Sequence, residues 1–117
     1  MKVIPFQESM NCDDAIKCVF DLNARDIGVF KILQKIGTAR ADELAKLLKK
    51  ERSTVYRSLQ KLCACGMCEK KTKTLDQGGY YHVYEPQQPQ KIRKRAEHCL
   101  DQWYESVKQT LQLITER

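Results

Sequence analysis

Between Ala41 and Gly66 the apolar residues fall into two short helical runs joined by a charged turn, Lys49-Lys50-Glu51. The first run, Ala41-Asp42-Glu43-Leu44-Ala45-Lys46-Leu47-Leu48, places Leu44, Leu47 and Leu48 on one side of a compact two-turn helix. The second is expected from about Arg52 to Cys65, with Val55, Leu59 and Leu62 inward at steps of four and three, and Gly66 ends it. At about 100° per residue, Ser53, Thr54, Arg57 and Lys61 lie opposite that apolar stripe, with Arg52 and Tyr56 at its flanks. The outer face of the second helix is therefore basic and rich in hydroxyls.

The rest of the chain organises around this pair. Residues 1–10 show only a small apolar patch of Val3, Ile4 and Phe6 and read as an N-terminal arm. Asn11 is placed to cap a first helix with Asp13 and Asp14 in its first turn, where carboxylates favour the positive end of the helix dipole. Asn23 and Asp26 resemble a second cap, opening a helix over about 24–36 that Gly37 stops. Beyond Gly66, Met67 to Thr74 and Tyr80 to Glu85 are two extended runs around Leu75-Asp76-Gln77-Gly78-Gly79, which marks a hairpin. Alternation sends Tyr80, His82 and Tyr84 to one face, so these aromatics read as strand packing. After Pro86 and Pro89, Ala96, Leu100, Trp103, Val107, Leu111 and Ile114 recur at steps of three and four along a last helix of nearly thirty residues. Such a helix, about 40 Å long, exceeds what a small domain covers, so a second copy of the chain is expected to bury that stripe.

With 117 residues the chain is the size of one domain. Its 42% hydrophobic and 31% charged residues fit a soluble globular protein and exclude a membrane span or a collagen-like repeat. No stretch approaches the roughly 20 apolar residues of a bilayer crossing, and Met1 to Phe6 opens no signal-peptide core, so the expected compartment is the cytoplasm. The net charge is +6, and +5 of it falls between residues 49 and 76, where Lys49, Lys50, Arg52, Arg57, Lys61, Lys70, Lys71 and Lys73 face only Glu51, Glu69 and Asp76. An anionic partner should meet this segment. There is no Ser-His-Asp set, no paired catalytic carboxylates and no phosphate-cradling glycine loop, and His82 and His98 have no acidic partner at motif spacing. An enzyme is not expected.

Helix, short helix, tight turn, basic helix and two-stranded ribbon is the order of a winged helix-turn-helix, a mainly α architecture with a small β-ribbon (α+β). The expected divisions are the arm at 1–10, the winged domain at 11–86 and a dimerisation helix at 87–117. A B-DNA major groove about 12 Å wide admits one helix, which needs small hydroxyls for close approach and Arg or Lys for phosphate and guanine. Arg52, Ser53, Thr54, Tyr56, Arg57 and Lys61 offer both, while Lys70, Lys71 and Lys73 put charge on a wing that can reach the backbone or adjacent minor groove. Ala41 to Leu48 followed by Arg52-Ser53-Thr54-Val55-Tyr56-Arg57-Ser58-Leu59-Gln60-Lys61-Leu62 and Cys65-Gly66-Met67 resembles the TrmB-like archaeal winged-helix regulators, neighbours of the MarR family. That resemblance, over about residues 11–86, implies a dimeric transcriptional regulator holding double-stranded DNA with the Arg52 to Lys61 helix in the major groove. Lys49-Lys50-Glu51 departs from it, because relatives commonly have a Gly, an apolar residue and a Pro or Ser cap there. The competing function, from a different class, is a winged-helix docking module of a larger assembly, but such a module has no need to concentrate charge on one helix and its wing.

Six cysteines are many for a chain of this length. Cys63, Cys65 and Cys68 lie where the basic helix ends and the ribbon begins, and Gly66 could turn Cys65 and Cys68 toward one another as in a metal knuckle. Nearby Lys61, Lys70 and Lys71 would then lower their thiolate pKa values. This supports a minor reading, a metal or iron-sulfur site or a thiol redox switch. Cys12 and Cys18, about 240° apart around one helix, do not easily chelate one ion together, and Cys99 lies on another helix. The main expectation is ordinary inert thiols and no cofactor.

Overall fold

A computed structural model describes residues 11–115; the arm at 1–10 lies outside them. Seven elements follow in chain order: α1 (Cys12–Phe20), α2 (Ala24–Ile36), α3 (Ala41–Leu48), α4 (Arg52–Ala64), β1 (Cys68–Thr74), β2 (Tyr80–Pro86) and α5 (Pro89–Gln112). Local chemistry sets most of these boundaries. Asn11 accepts from the Asp14 N–H at 2.8 Å, and Asn23 with Asp26 forms a reciprocal capping box at the start of α2. At the end of α4 the Met67 N–H reaches the Leu62 carbonyl at 2.9 Å, a closure that needs the positive φ of 85° taken by Gly66.

Packing α2 and α3 against α4 makes the core. Leu33, Leu44, Val55, Leu59, Leu62 and Met67 are buried almost completely, and Cys68 and Tyr84 join the same cluster from the ribbon. β1 and β2 pair antiparallel with Lys70 opposite Tyr84, Lys71 opposite Val83, Thr72 opposite His82 and Lys73 opposite Tyr81. A single bridge between Ala39 and Tyr84, with N–H to carbonyl distances of 3.0 and 2.8 Å, ties the α2–α3 connection to the outer edge of β2. It fixes the ribbon beside the helix pair.

The charged turn solves its geometry without glycine. Lys49 caps α3 in the left-handed region, at φ 55° and ψ 44°, and the Lys50 N–H returns to the Ala45 carbonyl at 3.0 Å. A left-handed conformation costs an L-residue roughly 1–2 kcal/mol, against about 0.5–1 kcal/mol of extra chain entropy lost by glycine. Lys49→Gly is therefore expected to raise unfolding stability by about 0.5–1 kcal/mol, and the β-branched Lys49→Val to lower it by about 1 kcal/mol or more. Urea unfolding midpoints check both signs.

The last helix is shorter than its sequence pattern implies. It has 24 residues, about 36 Å by the helical rise, and starts at Pro89, whose missing N–H costs nothing at the first turn. Past Gln112 the backbone tightens, with the N–H groups of Leu113, Ile114 and Thr115 bonded to carbonyls three residues back. Ile114 thus lies in a turn beyond the helix rather than on it, where β-branched Ile114 and Thr115 are exposed with little to pack against. Only Ile92 of α5 is buried. Ala96 and Val107 are half-buried, while Leu100, Trp103, Tyr104, Leu111, Leu113 and Ile114 are exposed.

Candidate nucleic-acid interface

The surface of α4 divides as its period requires. Val55, Leu59 and Leu62 enter the core, and Arg52, Ser53, Tyr56 and Arg57 are exposed, with Thr54 half-buried beside them. Arg57 has no ion-pair partner among the described residues, so its five donors project from the middle of the helix. Arg52 pairs with Asp42 of α3, which anchors the first turn of α4 across the helix pair.

Lys61 is placed differently from the expectation that grouped it with Arg57. Its ammonium donates to Asp26 Oδ2 at 2.5 Å, and the Ser58 hydroxyl donates to Asp26 Oδ1 at 2.7 Å. Asp26 and Ser58 are each only 2% exposed. Burial works against the Asp26 carboxylate, but hydrogen bonds from Lys61, Ser58 and the Asn23 backbone outweigh it and hold its pKa below the ordinary 3.8. Ser58, absent from the residues singled out in the sequence, links α4 to the start of α2. A hydroxyl between Arg57 and Leu59 gave no local sign of that partner, 32 residues away.

On the ribbon, Lys70, Lys71 and Lys73 are all exposed, but they do not share a face. Lys70 sits opposite Tyr84 on the face turned to α4, where Tyr56, Gln60, Cys63, Lys70 and Tyr84 line one depression. Lys71 and Lys73 lie on the other face, and Lys71 donates to Glu85 at 2.9 Å, which holds that carboxyl below its ordinary range. Where α3, α4 and β2 converge, a cleft of about 230 Å³ is lined by Arg40, Asp42, Arg52, Tyr56 and the tyrosines and histidine of β2. The Arg40 guanidinium lies 4.7 Å from the centroid of the Tyr81 ring.

At the helix–ribbon junction the thiol pKa values are raised, not lowered by neighbouring lysines as the sequence suggested. Burial pushes the pKa values of Cys63 and Cys65 up, outweighing Lys70 beside the first and Arg95 beside the second, and together with the neighbouring thiols it pushes that of Cys68 up to about 12. Lys61 is engaged with Asp26, and Lys71 points to the opposite face of the ribbon. Cys99 of α5 is near enough to Cys65 for their charges to interact, a proximity across more than thirty residues that spacing along the chain hides. Among the described residues, no group of three or more His, Cys, Asp or Glu is arranged to hold a metal ion. No helix of the described residues is long and apolar enough to cross a membrane.

A family model described as the sugar-specific transcriptional regulator TrmB matches residues 16–90, from α1 through the ribbon to the start of α5. The chain belongs to the TrmB family. This TrmB-family protein is 29% identical over 96 residues to an uncharacterised protein of Methanocaldococcus jannaschii, covering 82% of this chain and 73% of that one. A solved structure described as a possible transcriptional regulator from Methanosarcina mazei superposes with a TM-score of 0.74 at 29% identity, covering 93% of each chain. TrmBL2, described as an archaeal chromatin protein with a novel mode of DNA binding, shares the fold with a TM-score of 0.58 at 22% identity, over 89% of this chain and 38% of that one. The architecture is the winged helix-turn-helix of TrmB and MarR regulators, with α3 and α4 as the helix-turn-helix and β1–β2 as the wing. Its family is one of transcriptional regulators rather than enzymes.

Proposed function

We propose that this TrmB-family protein is a sequence-specific, DNA-binding transcriptional regulator acting as a homodimer. The observation that carries the reading is the adjacency of two basic elements: the exposed Arg52, Ser53 and Arg57 face of α4, and the Lys70-bearing wing joined to it through Tyr56 and Tyr84. In this reading Ser53, Thr54, Tyr56 and Arg57 enter the major groove. Arg52, Lys70, Lys71 and Lys73 meet phosphates, the wing lying on the backbone or the adjacent minor groove. Lys61 belongs to the same helix but acts through Asp26, fixing the pitch of α4 against α2.

Two copies are needed because α5 carries Leu100, Trp103 and Leu111 exposed on a helix with only one buried residue. Pairing α5 with its symmetry mate covers that stripe and sets two α4 helices for half-sites roughly 34–36 Å apart, one turn of DNA.

Selection of bound sequences from random duplex DNA tests the reading, because it reports both sequence preference and half-site spacing. On the selected site, log affinity should fall with log salt at about −0.9 per phosphate neutralised. Lys70→Ala and Lys73→Ala should weaken binding to all duplexes alike. Arg57→Ala should instead relax preference at one base pair, by about 1–3 kcal/mol for a bidentate contact to guanine. Undetectable or salt-independent duplex binding would refute the proposal.

A further inference from the structure

A regulator that places α4 in the major groove and its ribbon over the next minor groove must straddle one sugar-phosphate strand, since a single strand separates the two grooves. Resting on the DNA reading above, we infer that the cleft between α3, α4 and β2 is a phosphodiester clamp for that strand, with Arg40 as its principal cation and Tyr81 as the residue that positions it.

Three independent features of the cleft fit a phosphate. The first is charge. Arg40 and Arg52 both line it, and the one carboxylate present, Asp42, is ion-paired to Arg52. A net positive charge remains beside the strand.

The second feature is the open edge of β2. The Gln87 N–H donates to Met67 O at 2.8 Å and the Leu75 N–H to Gly79 O at 3.1 Å, so the cross-strand bonds of the ribbon fall on odd-numbered residues. Tyr84, an even residue, accordingly turns its N–H and carbonyl outward to Ala39. By the same alternation His82 and Tyr80 turn their backbone N–H groups to that outer edge, beside the cleft. An edge N–H is the kind of fixed donor that holds a phosphate oxygen in place.

The third feature is preorganisation. The Ala39–Tyr84 bridge holds the backbone next to Arg40 against β2, and the Tyr81 ring lies under the guanidinium at 4.7 Å. Stacking restrains a long side chain that would otherwise lose its rotamer freedom on binding. It leaves the planar fork of donors available for bidentate bonding to two phosphate oxygens. The hydroxyls of Tyr56 and Tyr80, both on exposed residues lining the cleft, add neutral donors. Sequence reasoning missed Arg40 because it stands alone, before the short helix and nine residues from the basic segment that starts at Lys49. Only the bridge to β2 brings it to the wing.

A phosphate clamp reads no bases, so its loss has a signature distinct from that of Arg57. Arg40→Ala should lower affinity about tenfold per half-site on selected and unrelated duplexes alike. It should also reduce the magnitude of the salt slope by about one per half-site. Arg40→Gln should behave similarly, and the thermal midpoints of both variants should stay near wild type because the Arg40 capping bond to Glu43 uses the backbone N–H. Tyr81→Phe retains the ring and should bind like wild type, whereas Tyr81→Leu should lose most of what Arg40→Ala loses. The decisive measurement uses the selected duplex carrying a neutral methylphosphonate at successive positions of the strand. One position per half-site should weaken wild type about tenfold and leave Arg40→Ala nearly unaffected. If Arg40→Ala binds with unchanged affinity and slope while Arg57→Ala still relaxes specificity, the clamp is overturned and the DNA reading stands. If wild type binds no duplex at all, both fall.

Discussion

Replacing Trp103 and Leu111 of α5 together by glutamate is expected to turn the protein into a soluble monomer and to weaken its binding to a palindromic duplex by about 10²–10⁴-fold. Trp103 is 39% exposed and Leu111 56% exposed in the single chain, on a 24-residue helix with one buried position. Burying such side chains at a dimer contact contributes about 1.5–3 kcal/mol each, and burying unpaired carboxylates in their place costs more than that. The DNA effect follows from geometry rather than from any lost DNA contact. Once one half-site is held, a linked second module binds at a high effective concentration, and that advantage vanishes when the protomers separate. Sedimentation gives the mass, and titration on full and half operators gives the affinity. The variant should bind both duplexes with the weak affinity of a half-site. A wild-type monomer at micromolar concentration, or a monomeric variant that still binds the full site tightly, would contradict the arrangement.

Asp26→Ala is expected to cost about 3 kcal/mol of unfolding stability, a large share of the roughly 5–15 kcal/mol available to a domain of this kind. The carboxylate closes the capping box of α2 on the Asn23 N–H at 3.1 Å, a contribution of about 1 kcal/mol. It also receives the Ser58 hydroxyl and the Lys61 ammonium, and charged hydrogen bonds of this sort contribute about 1.5–3 kcal/mol. Removing it leaves the Ser58 hydroxyl buried without its acceptor. Lys61→Ala should cost less, about 1 kcal/mol, because its side chain is 44% exposed and the exposed ammonium is already well solvated. The pH dependence has a definite sign. A carboxyl whose folded pKa lies below its unfolded value stabilises the fold fully above the ordinary value near 3.8, and that contribution is lost as pH falls through the lower folded value. Urea midpoints measured from neutral pH down into this acid window should therefore drop for wild type. In Asp26→Asn this component should be missing, and a wild-type midpoint that is flat through the same window would contradict the assignment.

The local design was legible because each signal acts within one or two turns of chain. Asn11, Asn23 and Gly66 mark helix ends through hydrogen bonds to residues three to five positions away, and Gly78-Gly79 marks the hairpin through its positive φ values. The period of Val55, Leu59 and Leu62 correctly separated the buried from the exposed side of α4, which is why Arg57 and Ser53 were found on its outer face. The turn at Lys49 was harder to read, since a residue that usually avoids the left-handed region adopts it there to join two helices that pack on a common core.

The order of the elements and the faces they bury follow from the residue pattern alone, and with them the winged helix-turn-helix and the basic outer face of α4. Packing between elements settles what the basic side chains of α4, the wing and the α2–α3 connection meet within the chain. Lys61 pairs with an aspartate 35 residues away, Lys71 with Glu85 across the ribbon, and Arg40 with the Tyr81 ring. The same holds for the thiols, where packing at the junction of α4, β1 and α5 raised pKa values that neighbouring lysines were expected to lower. The difference is one of range. Helical and strand periods follow from backbone geometry and repeat along the chain, whereas the partner and solvation of a side chain depend on how whole elements pack, and no spacing within a single segment carries that information.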